Sequence, residues 1–312
     1  MEAASPSVAV VICTYSDARR GELRAAIDSV LAQAPPPSET IVVVDYNPAL
    51  LAWVEAQDLP VRSVANHGPR GLSGARNEGL GCATSDVVAF LDDDASADPG
   101  WLAELVRAFD DPRVGCAGGT AVPVWERGRP AWFPEEFDWV VGCSYRGLPV
   151  EATEVRNVLG CNMAFRRADL AALGGFSPRL GRVGSRPIGA EETEVCIRLG
   201  RAEPPRTIAF RPAARVHHLV PRARAQWRYF VARCYAEGVS KAVLSRMVGA
   251  GSGLATERRY AAIVLPQGIA RGVGDALRGD LAGLMRSFAI GTGLALTTLG
   301  YIRGLIARRS VA

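Results

Sequence analysis

The sequence predicts an α/β protein in which a mostly parallel sheet is flanked by helices and followed by a basic, amphipathic helical region. Short apolar runs alternate with helical patterns over the first third of the chain, and several of these runs end in polar or acidic residues. The charge also changes sign: residues 1–200 contain 18 Arg against 27 Asp and Glu, whereas residues 201–312 contain 18 Lys and Arg against 5 Asp and Glu. We therefore expect one domain over residues 1–220 and a basic helical region over 221–312.

Strand, loop and helix alternate in the first part of the chain. The predicted elements are strands at 8–13, 40–44, 61–65 and 87–91 and helices at 20–33 and 71–82. The prolines at 35–37 end the first helix, because proline cannot continue a helical hydrogen-bond pattern. Helices between consecutive strands favour parallel pairing through right-handed crossovers.

The middle of the chain is less regular. Asp98 and Pro99 are expected to start a helix as its N-cap and first residue. Residues 114–150 contain many glycines and prolines together with Trp125, Trp132 and Trp139, a pattern more typical of a pocket wall than of a parallel sheet. The elements expected after this are strands at 160–167, 207–210 and 214–217, helices at 168–173, 191–200, 224–248 and 257–278, and a loop rich in Gly and Arg at 177–189.

Three carboxylates, Asp92-Asp93-Asp94, directly follow the apolar run at 87–91. The carboxyl end of such a strand is where open α/β sheets bind ligands. Adjacent carboxylates repel one another, so they persist there only if they are solvated, hydrogen-bonded or neutralised by a cation. Asp92 and Asp94 could hold one hard divalent ion, Mg2+ or Mn2+. A calcium loop is excluded, because Ala97 and Ala103 stand where Gly and Glu are needed.

Composition indicates a cytoplasmic protein at the inner face of the cell membrane. The seven cysteines are scattered without C-x-x-C pairs, as in reduced thiols, and the N-terminus lacks the pattern of a signal peptide. The basic C-terminal region favours peripheral contact with an anionic membrane, and no nucleic-acid motif accompanies the charge. Residues 287–302 are 16 uncharged residues, which is marginal for a spanning helix. They could contact the membrane, or they could form an ordinary packing helix or a dimer surface.

Several stretches, in their order and spacing, resemble the family 2 inverting glycosyltransferases with the GT-A type fold. These are Val10-Val11-Ile12-Cys13-Thr14-Tyr15, Val42-Val43-Val44-Asp45, Gly74-Ala75-Arg76-Asn77-Glu78-Gly79, Phe90-Leu91-Asp92-Asp93-Asp94, Gly160-Cys161-Asn162-Met163-Ala164-Phe165-Arg166 and Glu191-Glu192-Thr193-Glu194. Residues 161–218 are most similar to a bacterial branch, glucosyl-dolichyl-phosphate glucuronosyltransferase-like, that acts on polyprenyl- or dolichyl-phosphate-linked sugars.

The resemblance implies a nucleotide-sugar site. By similarity, Asp94 and Asp92 would hold the metal, and the remaining donor contacts would come from Thr14, Tyr15, Asp45, Arg76, Asp93 and Asn162. Asp45 would accept a hydrogen bond from the nucleobase of the donor. Asp93 would face the ribose or the sugar, and Asn162 would bind the donor sugar or the acceptor. The alternatives are that Asp45 caps a helix and that Arg76 is a solvated helix charge.

The resemblance also implies a general base and a histidine. Inversion requires a base that removes the proton of the acceptor hydroxyl. Where this chain has Glu191-Glu192, the family usually has Glu followed by Asp. Glu192 aligns with that Asp and is therefore the expected general base, with Glu191 as the alternative. His217 or His218 resembles a family histidine near the diphosphate, which could ligate the metal, although either could equally be a packed core residue.

The resulting hypothesis is a metal-dependent, inverting transfer of one hexose or hexuronate from a nucleotide-diphosphate sugar to a lipid-linked or secondary-metabolite acceptor. The resemblance to the family implies that this donor is a UDP-sugar. The Gln-x-x-Arg-Trp pattern of processive members is absent, which favours a single transfer. Two alternatives remain: a nucleotidyltransferase, which would need a Gly-rich phosphate loop after the first strand, and a catalytically silent membrane scaffold.

Overall fold

The computed structural model describes residues 5–182 and 189–307. Of the Gly- and Arg-rich loop predicted at 177–189, residues 183–188 lie outside the described residues. The strands are β1 Val8–Thr14, β2 Glu39–Val44, β3 Arg62–Ala65, β4 Val87–Asp92, β5 Ala95–Ala97, β6 Val114–Trp125, β7 Thr153–Glu154, β8 Asn162–Arg166 and β9 Thr207–Val220. The helices are α1 Arg20–Leu31, α2 Pro48–Glu55, α3 Leu72–Cys82, α4 Trp101–Val106, α5 Arg167–Ala172, α6 Glu191–Gly200, α7 Trp227–Val248, α8 Ala250–Gly253, α9 Ala255–Arg259, α10 Leu265–Leu277 and α11 Ala282–Ile306.

The strands of the described residues form one mixed sheet in the order β3-β2-β1-β4-β8-β6-β9-β5, with β7 paired to β9. The first four strands are parallel to one another, as the alternation of strand and helix predicts. Beyond β4 the pairing becomes antiparallel: β8 pairs with β4 and β6, and β5 pairs with β9. The α/β fold class with flanking helices is confirmed, and the sheet is less parallel than expected.

Both faces of the sheet are covered. Alternate residues of β1 point to opposite sides, so Val10 and Ile12 pack with α1 and α4, whereas Ala9 and Val11 pack with α3, α5 and α6. This double burial explains why the parallel strands read as continuous apolar runs. All seven cysteines lie in the described part of the chain and are free thiols, in agreement with the expected reduced state.

Some local predictions are wrong. Helix α2 was not foreseen, although Asn47 caps it by accepting a hydrogen bond from the backbone N–H of Leu50 at 3.0 Å. The irregular segment after residue 113 begins with the long strand β6, and the two short strands at 207–217 are one strand, β9. Asp98 does not cap α4, whose N-cap is Gly100 in the left-handed conformation. The side chain of Asp98 pairs with His217 instead.

The chain divides into two compact units. Unit 1 comprises Met1–Val122, Pro149–Arg186 and Glu191–His218, and unit 2 comprises Pro123–Leu148, Pro187–Ala190 and Leu219–Ala312. Residues 123–148 therefore group with the C-terminal helices. Within unit 2, the rings of Trp132, Phe133 and Phe137 surround that of Phe230 at centroid distances of 5.3–5.6 Å. This part of the tryptophan-containing segment at 114–150 therefore belongs to a packed aromatic core.

Helix α11 includes the uncharged segment at 287–302. Among the described residues it is the one helix that is long and apolar enough to cross a membrane by length and composition, with 25 residues and a window of mean hydropathy 1.3. Only 28% of that window is buried within the protein. The helix therefore presents much of its apolar surface outward.

We predict that Gly79→Ala destabilises the protein, because a Cβ at this position in α3 would lie 2.4 Å from Cγ1 of Val11 in β1. The expected loss is about 1–3 kcal/mol in the free energy of unfolding. Gly81→Ala, two residues along the same helix, is the matched control, because nothing lies within 4 Å of its added Cβ. That variant should gain up to about 1 kcal/mol. Denaturant unfolding measures both, and equal effects would contradict the close packing of α3 on the sheet.

Candidate active site

Asp92, Asp94 and His218 converge at the carboxyl end of β4. The chain leaves β4 at Asp92 and turns through Asp93 and Asp94 into β5, and the register of β5 with β9 pairs Ala95 with His218. One ligand atom from each of Asp92, Asp94 and His218 lies within 4.8 Å of the others. Two carboxylate oxygens and an imidazole nitrogen are donors that suit Mg2+ or Mn2+. This donor set fits a divalent cation.

Arg76 links this edge to helix α6. Its guanidinium donates to Asp92 Oδ1 at 3.2 Å, to Glu191 Oε1 at 2.9 Å and to the carbonyl of Gly160 at 2.9 Å. The side chain is only 2% exposed, so the interpretation of Arg76 as a solvated helix charge is wrong. A buried guanidinium is tolerated because two carboxylates and a carbonyl replace its hydration.

The two adjacent glutamates at the start of α6 differ in environment. Glu191 is buried and its carboxylate is paired with Arg76, which fixes its position. Glu192 is partly exposed, and its Oε1 accepts a 3.3 Å hydrogen bond from Thr193 Oγ1. Of these two carboxylates, Glu192 is thus the one with surface open to solvent.

Asp93 is enclosed by protein groups. It accepts hydrogen bonds from Thr14 Oγ1 and from the guanidinium of Arg19, both at 2.7 Å. Burial raises the pKa of the Asp93 carboxyl to about 6, against the opposing effect of the Arg19 charge. Thr14 is buried as well, so the contact between Thr14 and Asp93 holds the end of β1 against the acidic turn.

Arg19 is a site residue that the sequence pattern did not reveal. Its Nη1 lies 3.3 Å from Asp94 Oδ2 in addition to its bond with Asp93, and its guanidinium stands 5.7 Å from the ring centre of Tyr15. The sequence offered one indication of this role: Arg19 lies in the polar segment after the first apolar run, close to the predicted site residues Thr14 and Tyr15. Two consecutive arginines in that loop gave no means of choosing between them, and Arg20 instead pairs with Asp17.

Asp45 and Tyr15 flank the same end of the sheet. Asp45 accepts from Asn66 Nδ2 at 2.6 Å and from the backbone N–H of Gly71 at 3.0 Å, so it organises the loop that leads into α3. The alternative that Asp45 is a helix N-cap is wrong, because Asn47 is the N-cap of α2 and Gly71 is that of α3. Tyr15 is 50% exposed and offers a ring face to a ligand.

Asn162 and His217 are not brought to the acidic edge. Asn162 is fully buried: its Oδ1 accepts from Trp101 Nε1 at 2.8 Å, and its Nδ2 donates to the carbonyls of Thr120 and Ala214. These bonds use both amide hydrogens, so the placement gives no support to the predicted contact with a sugar. His217 lies on the other side of β9, with its Nε2 2.7 Å from Asp98 Oδ1.

A family model described as "Glycosyl transferase family 2" matches residues 9–174. The chain belongs to glycosyl transferase family 2. The expected family is thereby confirmed, and the enzyme is a glycosyltransferase, which sets aside the nucleotidyltransferase alternative. The matched segment contains the three aspartates and Arg76, whereas Glu191 and His218 follow it in the sequence.

Relatives agree with this assignment over most of the chain. The chain is 38% identical over 241 residues to the glucosyl-dolichyl phosphate glucuronosyltransferase of Haloferax volcanii, covering 76% of this chain and 77% of that protein. It is 32% identical over 237 residues to the succinoglycan biosynthesis protein ExoM of Rhizobium meliloti, covering 73% and 71%.

Solved structures of other glycosyltransferases share the fold. The mannosyltransferase PcManGT of Pyrobaculum calidifontis, in complex with GDP-Man and Mn2+, is similar with a TM-score of 0.56 at 20% identity, covering 94% of this family 2 chain and 87% of its own. GalNAc-T7, crystallised with UDP, GalNAc and Mn2+, has a TM-score of 0.52 at 20% identity, covering 70% of this chain and 45% of its own. These likenesses establish the GT-A type fold.

We predict that Arg76→Leu lowers the free energy of unfolding by about 3–5 kcal/mol, because the buried carboxylate of Glu191 would lose its counter-charge. Arg24→Leu is the matched control, since Arg24 forms an exposed pair with Asp28 on α1. That change should cost less than about 1 kcal/mol. Denaturant titration compares the two variants, and a small loss for Arg76→Leu would show that the buried network does not stabilise this enzyme.

Proposed function

We propose that this family 2 enzyme catalyses metal-dependent, inverting transfer of one hexose or hexuronate from a nucleotide-diphosphate sugar to a lipid-linked or secondary-metabolite acceptor, with a UDP-sugar as the expected donor. The observation that carries the proposal is the convergence of Asp92, Asp94 and His218 within 4.8 Å, at an edge that Arg76 links to the helix of the partly exposed Glu192. An edge of this kind would bind the diphosphate of a donor through a cation and would supply a carboxylate to accept the proton of the acceptor hydroxyl.

The donor would lie at the carboxyl end of β1 and β4. Asp92, Asp94 and His218 would hold Mg2+ or Mn2+, which when bound neutralises the charge that develops on the departing diphosphate. The exposed ring of Tyr15 would cover the nucleoside. Arg76 would act on the donor indirectly, since its hydrogen bonds already orient Asp92 and Glu191.

Glu192 would be the general base. Inversion needs a carboxylate on the acceptor side that can take the hydroxyl proton as the new glycosidic bond forms. Glu191 is fixed by Arg76 in the interior, and this contact would set the direction in which α6 presents the next residue. The partly exposed carboxylate of Glu192 is the one that an acceptor can approach.

The acceptor side is proposed from the relatives and from the C-terminal region. The Haloferax volcanii relative is named for a glucosyl-dolichyl phosphate acceptor, and α11 is an apolar helix with little of its surface buried. A lipid-linked acceptor at the cytoplasmic face of the cell membrane agrees with both. Residues 221–312, proposed as a basic helical region next to a transferase domain over 1–220, would supply the membrane contact.

We predict that calorimetry with UDP-, GDP- and TDP-sugars, each with and without Mn2+, detects metal-dependent binding of one nucleotide class.

Asp94→Asn should lower metal-dependent turnover with that donor at least about a hundredfold, because the cation supplies several kcal/mol of charge stabilisation. Asp28→Asn, an exposed aspartate on α1, is the control and should leave turnover unchanged. Full turnover in Asp94→Asn would refute the metal site, and absence of binding to every donor would contradict the proposed nucleotide-sugar donor and indicate a donor outside this panel.

We predict that Glu192→Gln lowers kcat by about 10²–10⁴-fold while the affinity for the nucleotide stays near that of the wild type, because the amide cannot accept the proton. Glu191→Gln is the informative comparison. It should weaken the ion pair with Arg76 and reduce stability more than Glu192→Gln does. If Glu191→Gln instead causes the larger loss of kcat in folded protein, the base is Glu191.

A further inference from the structure

Helix α11 has the opposite pattern to a helix of a water-soluble protein: it buries small residues and exposes large apolar ones. Its buried residues are Gly283, Ala289, Ile290, Gly293, Gly300 and Gly304. Its exposed large residues are Leu284, Met285, Phe288, Leu294, Leu299, Ile302, Leu305 and Ile306. At about 100° per residue, these positions fall within one half of the helix circumference and so form one apolar face, here called the α11 stripe, along the length of the helix.

Close backbone contact explains why the small residues face inward. A Cβ on Gly300 would lie 2.1 Å from the carbonyl oxygen of Tyr235 in α7, and one on Gly238 would lie 2.0 Å from that of Thr297. Where the backbones approach this closely only small residues fit, so the large apolar side chains of α11 are left mainly on its exposed face. In water, an apolar face of this extent is unusual and marks a surface that binds a partner or a membrane.

Helix α10 shows a similar pattern after its first residue. It buries Leu265, Gly268 and Gly272 and exposes Ile269, Val273 and Leu277. The turn between the two helices adds Leu281, which is 72% exposed. The α11 stripe is thus one part of an apolar surface that extends over a helical hairpin.

The charges around this surface are complementary to an anionic membrane. Arg278 at the hairpin turn and Arg303 in the last turns of α11 are exposed, the first before the stripe begins and the second within its C-terminal part. Between them, Arg286 is held by Asp275 and Asp280 and by the carbonyl of Ala131. Arginines at the ends of an apolar helical face are placed to meet lipid phosphates while the apolar side chains enter the layer below.

A spanning orientation is disfavoured by the neighbour of α11. Helix α7 runs beside it from Trp227, whose ring stacks with that of Phe288, to Arg246, whose guanidinium donates to the carbonyl of Leu305. If α11 crossed the bilayer, α7 would lie at the same depth. The charged residues that it would carry there are Arg228, Arg233, Glu237, Lys241 and Arg246. Each charge near the bilayer centre costs several kcal/mol.

We propose that the α10–α11 hairpin docks on an anionic lipid surface with α11 in the plane of the membrane, its stripe inserted among the acyl chains and α7 on the side away from the lipid. The inference deepens the proposed membrane contact and rests on that part of the proposed function. It differs from a spanning orientation, which the length and apolar composition of α11 alone would allow.

Vesicle co-sedimentation of the full-length protein tests the surface. With vesicles of equal parts phosphatidylcholine and phosphatidylglycerol, Leu284→Asp and Leu299→Asp should each lower the partition coefficient at least about tenfold. Val150→Asp is the matched control, because Val150 is 86% exposed in unit 1, and it should bind as the wild type does. Equal binding of all four proteins overturns the proposal. So does a lipid-free dimer that Leu299→Asp dissociates, since the stripe would then be an interface between copies.

Spin labels distinguish the in-plane orientation from spanning. Labels on Leu284→Cys, Leu294→Cys and Ile302→Cys sample about 27 Å of α11, and their accessibility to oxygen and to a water-soluble nickel chelate reports depth in the vesicle. The in-plane orientation requires similar, shallow depths of roughly 5–10 Å at all three positions. A deep label at 294 with shallow labels at both ends would overturn it.

Nucleotide-sugar binding by the same variants separates this inference from the proposed function. Leu284→Asp and Leu299→Asp should retain metal-dependent donor binding, because the donor residues belong to unit 1. Retained donor binding without vesicle binding by the wild type would reject the membrane surface alone. Vesicle binding without any donor binding would reject the proposed donor and leave the surface in place.

Discussion

The buried guanidinium of Arg76 is the interaction on which the candidate site depends. It joins α3, the end of β4, the turn before β8 and the start of α6 through bonds to Asp92, Gly160 and Glu191. Removing a charge from water is expensive, so this arrangement persists only if all its partners are in place. The position of the acidic edge and that of the start of α6 are therefore coupled through one side chain.

A second cation, Arg19, balances the other side of the acidic turn. Asp93 and Asp94 would repel each other and Asp92 across a short stretch of backbone, and Arg19 lies 2.7 Å from Asp93 and 3.3 Å from Asp94. Two arginines thus divide the three aspartates between them. Asp93 contributes to holding the turn, whereas Asp92 and Asp94 remain beside His218.

The sequence was sufficient for the local features and insufficient for the long-range ones. Apolar runs, proline stops and the acidic end of β4 predicted the parallel half of the sheet and the metal-ligand edge, because period and chain direction decide these features. The antiparallel half depends on pairings such as β5 with β9, which no local pattern specifies. Asn162 illustrates the same limit: its motif indicated a ligand contact, but the bonds to Trp101, Thr120 and Ala214 arise from chain segments far apart in sequence. Hydropathy likewise detected the apolar character of α11 but could not show which of its faces is exposed.

The long separation between Arg76 and its partner has a consequence for how the protein is made. Glu191 lies 115 residues after Arg76, beyond the segment at 9–174 that the family model covers. As the chain leaves the ribosome, the first four strands and Asp92 are available while Glu191, the second anion beside Arg76, has not yet been synthesised. Burial of the guanidinium is only partly compensated until then, so the finished packing around Arg76 requires α6. The acidic edge therefore reaches its final arrangement late, and a nascent chain that stalls between these residues holds the aspartates without their completed surroundings.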